Sequence, residues 1–128
     1  MSSKKILIVD DEPDVVAYLT AVLEANGYKS YAAGNIKMAL QMVKKIQPAL
    51  ICLDIVMPNE TGISFYIKIK QTDDFKDIPV IIISGIIESE KFDFGSYVKD
   101  SEIPPPECYM EKPINVEEFI QNIKRLTN

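Results

Sequence analysis

The sequence predicts a three-layer α/β/α sandwich built on a parallel sheet. Three observations carry this expectation. The apolar run Ile6–Val9 is continuous rather than alternating, as expected of a parallel strand covered on both faces, and similar runs recur at Leu50–Leu53 and Pro79–Ile83. Between the runs, apolar residues return at helical spacing. Strand and helix then alternate five times along the chain, a pattern that right-handed crossovers fold into one sheet with helices on both faces.

Each element has a local reason. Asp10-Asp11-Glu12 ends the first run, and Pro13 suits a first helical turn, with acids around it that favour the positive helix N-terminus. Val15, Val16, Leu19, Val22 and Leu23 give that helix its apolar stripe, and Asn26-Gly27 stops it. Tyr28–Ala33 reads as the second strand. Gly34 then turns the chain and Asn35 caps a helix striped by Ile36, Leu40 and Val43, which Pro48 closes. Leu50–Leu53 is the third strand. Thr61 is placed to cap a helix through about Gln71, with Ile63, Tyr66, Ile67 and Lys70 on one face, the lysine stem packed and its charge out. Pro79–Ile83 is β-branched almost throughout and forms the fourth strand, ended by Ser84-Gly85.

The stretch 86–98 carries Phe92, Phe94, Tyr97 and Val98 around Gly95 and reads as a short or irregular helix. Pro104-Pro105-Pro106 excludes helix and central strand. Cys108-Tyr109-Met110 is a short fifth strand, followed by Lys112-Pro113. Asn115 with Glu118 forms an Asn version of the capping box, and Val116, Phe119, Ile120, Ile123 and Leu126 make the last helix amphipathic.

A chain of 128 residues suits one domain, spanning 1–128, with a core large enough to need no staples. Its net charge of -5 and the lack of a basic stripe argue against a nucleic-acid partner. The longest apolar stretch is broken by Pro79, Ser84 and Gly85 and is too short to span a membrane. The chain opens without a signal peptide, which makes a cytoplasmic location the default. The two cysteines, Cys52 and Cys108, sit in apolar stretches and read as buried small hydrophobes. With no histidine there is no Ser-His-Asp or Cys-His machinery, so any chemistry falls to carboxylates, lysine, hydroxyls and backbone.

Those groups lie where a parallel sheet places function, outside the carboxyl ends of its strands. Asp10 and Asp11 follow the first strand, Asp54 the third, Ser84 the fourth and Lys112 the fifth. Alone, each has a plainer reading: a solvated helix start, a turn serine, a surface lysine. Together at the ends of one sheet they describe a pocket. Three carboxylates there repel each other, and Mg2+, a hard cation that prefers oxygen, relieves that repulsion. Asp11 and Asp54 are the expected direct ligands, with Asp10 direct or through water and the Val56 backbone carbonyl as a further oxygen. A carboxylate beside Mg2+ and a lysine can attack a phosphoryl group. Asp54, alone at the end of a central strand, is the expected nucleophile, Lys112 the charge stabiliser and Ser84 a hydrogen-bond donor.

Ile6–Val9 with Asp10-Asp11, Leu53-Asp54-Ile55-Val56-Met57-Pro58 with Gly62, then Ser84, then Lys112-Pro113, together resemble the receiver domain of two-component response regulators over essentially the whole chain. The resemblance implies a flavodoxin-like (βα)5 sheet of order 2-1-3-4-5, which keeps Cys52 and Cys108 from being neighbours. It implies phosphorylation of Asp54 by a histidine kinase or histidine phosphotransfer protein, the donor histidine being on the partner. It also implies a switch, in which Ser84 moves toward the phosphoryl group and Tyr109 turns inward, and a cis bond at Lys112-Pro113.

Output would be a contact with an unknown downstream protein, made by the face around the fourth helix, fifth strand and fifth helix. Serine at 84, Gly85 and Ala49 depart mildly from the family pattern. The stretch 86–107 departs most, being longer and lacking the usual Gly-Ala pair. Val56 and Ile86, two residues after Asp54 and Ser84, hold positions that influence water access to the acyl phosphate. Neither side chain binds water, so slow self-dephosphorylation is expected. Two alternatives compete: a degenerate receiver that only binds, and an aspartyl-nucleophile phosphatase. The first normally lacks the acids or the lysine. The second wants an acid where Val56 stands.

Overall fold

A computed structural model of the chain describes residues 4–57, 60–85 and 103–128, and within them every side chain except those at 56, 57, 60, 61 and 84. Ile86 and the expected irregular helix over 86–98 lie outside the described residues.

Strands β1 (Lys5–Val9), β2 (Lys29–Ala33), β3 (Leu50–Leu53), β4 (Val80–Ser84) and β5 (Cys108–Glu111) form one parallel sheet. Their order is 2-1-3-4-5, as the resemblance implied. Helices α1 (Pro13–Ala25), α2 (Ile36–Ile46), α3 (Gly62–Gln71) and α4 (Val116–Thr127) flank it. Asn35 and Asn115 cap α2 and α4, their side-chain oxygens accepting from the Met38 and Glu118 backbone N–H groups at 2.8 and 2.9 Å.

The sheet separates two cores. Leu7, Val9, Ile51 and Leu53 face α2 and α3, meeting Val43, Phe65 and Tyr66. Ile6, Ile8, Cys52 and Ile81 face α1 and α4, meeting Leu23, Phe119 and Ile123. Successive side chains of a strand point to opposite faces, so a strand with a core on each side must be apolar at every position. Four consecutive buried residues in β3 show the result.

Three expectations change. Lys70 was expected to hold its charge outward, but it is buried. Its Nζ donates to the carbonyls of Lys76 and Ile78 at 3.2 and 2.9 Å and pairs with Glu107 Oε1 at 3.3 Å. The turn after α3 folds back over the helix end, and its converging carbonyls replace the water that a lysine normally seeks. The buried face of α3 is also broader than its predicted stripe, because Phe65 and Ile69 join Ile63, Tyr66 and Lys70. Cys108 is only half-buried, since β5 is an edge strand, whereas Cys52 on central β3 is 1% exposed. Both are free thiols with Ile81 between them in register, so they are not neighbours.

Candidate functional site

The register aligns the ends of the central strands. Val9 pairs with Leu53, so the next residues, Asp10 and Asp54, emerge side by side. Each is tied to the sheet by one further backbone bond: Asp54 N–H donates to Val9 O at 2.8 Å, and Asp10 N–H donates to Ala33 O at 3.1 Å. Both carboxylates are buried, at 3% and 4% exposure. Lys112, the first residue beyond β5, reaches across to them. Its Nζ lies 3.3 Å from Asp54 Oδ2 and 3.3 Å from Asp10 Oδ2. The Lys112-Pro113 bond is cis, as the resemblance implied.

The sequence did not single out Glu12 for this pocket. Its Oε1 is the nearest acid to Lys112 Nζ, at 2.7 Å. Asp10, Glu12 and Asp54 bring carboxylate oxygens within 4.8 Å of one another. Asp11 stands half-buried outside that trio. The physical reason is the strand period of two: where the backbone leaves β1 extended, residues 10 and 12 face one way and residue 11 the other. Glu12 keeps extended backbone angles, φ -91° and ψ 111°, before Pro13 starts α1. Its N–H donates to Asp10 Oδ1 at 2.9 Å, which fixes the turn. Alternation carried one residue past the strand would have found it.

The electrostatics follow from three carboxylates around one ammonium. Burial pushes the Asp10 carboxyl above its ordinary range, against the opposing pull of the Glu12 backbone hydrogen bond and of Lys112. Burial alone would lower Lys112, but the hydrogen bond to Glu12 and the charges of Asp54 and Asp10 outweigh it and hold the ammonium well above a usual lysine. Negative charge remains in excess, and the donor set is all oxygen. Those are the requirements of a hard divalent cation such as Mg2+, so the residues present fit one.

The remaining predicted residues take these places. Ser84 closes β4, its backbone in register with Glu111 next to Lys112; its side chain is outside the described set. Tyr109 on β5 is exposed, at 37%. Val56 pairs with Thr61 and Met57 with Glu60 in a two-residue antiparallel link that leads directly into α3. That entry is tight. A Cβ on Gly62 would lie 2.5 Å from Asp54 O and 2.9 Å from Ile55 Cα. Among the described residues, no helix is long and apolar enough to cross a membrane.

Comparison with known proteins agrees with this geometry. Residues 6–124 match the family described as the response regulator receiver domain. The polar-differentiation response regulator DivK of Brucella anthropi is 29% identical over 124 residues, covering 94% of each chain. Sporulation initiation phosphotransferase F of Bacillus subtilis is 30% identical, over 98% of this chain and 94% of its own. The chain spans about half the length of other curated relatives, the phosphate regulon transcriptional regulatory proteins. Among solved structures, Vibrio cholerae chemotaxis protein CheY4 superposes with a TM-score of 0.83 at 24% identity, over 98% of this chain and 99% of its own.

Proposed function

The chain belongs to the response regulator receiver domain family, and from that premise we propose that Asp54 is the residue that takes the phosphoryl group. Receiver domains are phosphoryl-accepting signalling modules supplied by histidine kinases or histidine phosphotransfer proteins. The phosphatase and binding-only alternatives are not favoured. The observation that carries the assignment is the convergence of Lys112 Nζ on Asp54 and Asp10 at adjacent strand ends.

In this reading an Asp54 carboxylate oxygen attacks the phosphorus of a partner's phosphohistidine. A P–O bond forms, the P–N bond breaks, and the imidazole leaves with the electron pair. Lys112 then neutralises an oxygen of the acyl phosphate. Ser84 donates a hydrogen bond to another, and Tyr109 turns inward as Ser84 moves, a two-state change driven by the new charge. Asp10, Glu12 and Asp54 bring their oxygens together for Mg2+, with Asp11 and the Val56 carbonyl as the sequence-derived candidates beside them. When bound, Mg2+ supplies charge neutralisation at the phosphoryl oxygens. Residues 1–128 act as one receiver module in the cytoplasm, and output passes to a downstream protein through contact.

The test is direct. Protein incubated with Mg2+ and acetyl phosphate, or with a phosphorylated kinase, should acquire a base-labile phosphoryl group that Asp54→Asn lacks. Unlabelled wild type, or equal label on the variant, would overturn the reading.

A further inference from the structure

Glu12 makes the shortest contact to Lys112 in the site, 2.7 Å against 3.3 Å to each aspartate. The three acids are not equivalent. Asp10 and Asp54 are buried and fixed to the sheet. The Glu12 side chain is 57% exposed, so it alone can swing into water at little cost. Its backbone, by contrast, is held: the N–H is bound by Asp10 and the next residue is the proline that starts α1. Glu12 is therefore a solvent-exposed carboxylate on a fixed stem, and it holds the ammonium that a phosphorylated Asp54 would need.

We propose that Glu12 is a positioning residue that detains Lys112 on the solvent side of the pocket, so that an acyl phosphate must win the ammonium from it. This rests on the reading of Asp54 as the phosphoacceptor. Phosphorylation adds negative charge at Asp54 and draws Lys112 inward, while Glu12 releases it and turns to water. The strength of the Glu12 contact thus sets how readily the phosphorylated arrangement forms. A glutamine at 12 keeps the size and the fold but removes the charge that competes for the lysine.

Two measurements test this on the full chain. The first is the affinity for beryllofluoride, a phosphoryl analogue, at saturating Mg2+. Glu12→Gln should bind it about two- to fivefold more tightly than wild type, the range that a half-exposed ion pair can supply. Glu12→Asp, which keeps the charge, should stay nearer to wild type. Unchanged or weaker binding by Glu12→Gln, with Mg2+ brought to saturation for each protein separately, would overturn the proposal.

The second uses metal-free protein and trace acylation of lysines read by mass spectrometry. Lys112 should label severalfold faster in Glu12→Gln, with Lys29 and Lys37 unchanged as references. Equal labelling of Lys112 would also overturn the proposal. If wild type bound no beryllofluoride, the phosphoacceptor reading would fail, while the labelling result would still decide whether Glu12 holds the lysine.

Discussion

Asp10 and Lys112 show how burial and charge act on single residues of the site. Asp10 is held above its ordinary carboxyl range by burial. Its folded-state value exceeds its unfolded one, so ionised Asp10 weakens the fold. That cost develops as pH rises from the ordinary 3.8 through the folded value and is fully present above it. Asp10→Asn should therefore raise the melting temperature of metal-free protein at pH 7, measured with a chelator present, and a fall would contradict the assignment. Lys112 has the opposite linkage. Its stabilisation is intact below the ordinary lysine value of 10.5 and is lost as pH climbs through the higher folded value. Lys112→Met leaves three acids without their cation. It should cost roughly 2–3 kcal/mol in urea unfolding, less than a fully buried pair, with part of the loss restored by added Mg2+. At Val56 the expected effect is kinetic. Val56→Asn puts a hydrogen-bonding side chain two residues after Asp54 in the sequence, so its acyl phosphate should be lost faster than that of wild type. An unchanged or slower decay would remove Val56 from that role.

At the scale of elements, α3 links the acid end of the sheet to its opposite end. It starts against the backbone of Asp54 and Ile55 at Gly62 and ends where Lys70 is bound by Lys76, Ile78 and Glu107. Glu107 also accepts from Val80 N–H at 2.7 Å, and the Tyr66 hydroxyl donates to Pro104 O, so this helix also fastens the chain entering β5. Gly62→Ala forces the added methyl into backbone that cannot yield as a side chain would. It should cost about 1–3 kcal/mol and slow phosphorylation of Asp54, both measured on one sample. Lys70→Met leaves carbonyls and a carboxylate without their donor and should cost about 2–4 kcal/mol in urea, with Mg2+ binding little changed. The helix was legible from Ile63, Tyr66 and Ile67, but the burial of Lys70 was not. A lysine at a helix end reads as solvated, and only the later turn and Glu107 supply its partners. Glu12 escaped notice for a related reason, because an acid beside Pro13 reads fully as a helix start.

Over the whole molecule, the sheet carries a core on each face, and the strands paired on both sides should open last. Amides of the doubly paired strands β1, β3 and β4 should exchange most slowly, and those of edge strands β2 and β5 sooner. Comparable protection across all five strands would argue against edge opening. This architecture was legible because doubly covered strands are uniformly apolar, as at Ile6–Val9. Cys108 escaped that logic, since a short apolar run does not reveal that its strand lies at an edge. The strand order came from the family resemblance, whereas the polar strand ends announced the pocket themselves.

The contact between Glu12 and Lys112 joins residues 100 positions apart. A ribosome therefore finishes all three acids of the trio well before it adds their lysine. Until β5 docks, the three acids lack the ammonium that the finished fold sets among them. The charge arrangement of the pocket is thus complete only with the last strand of the sheet.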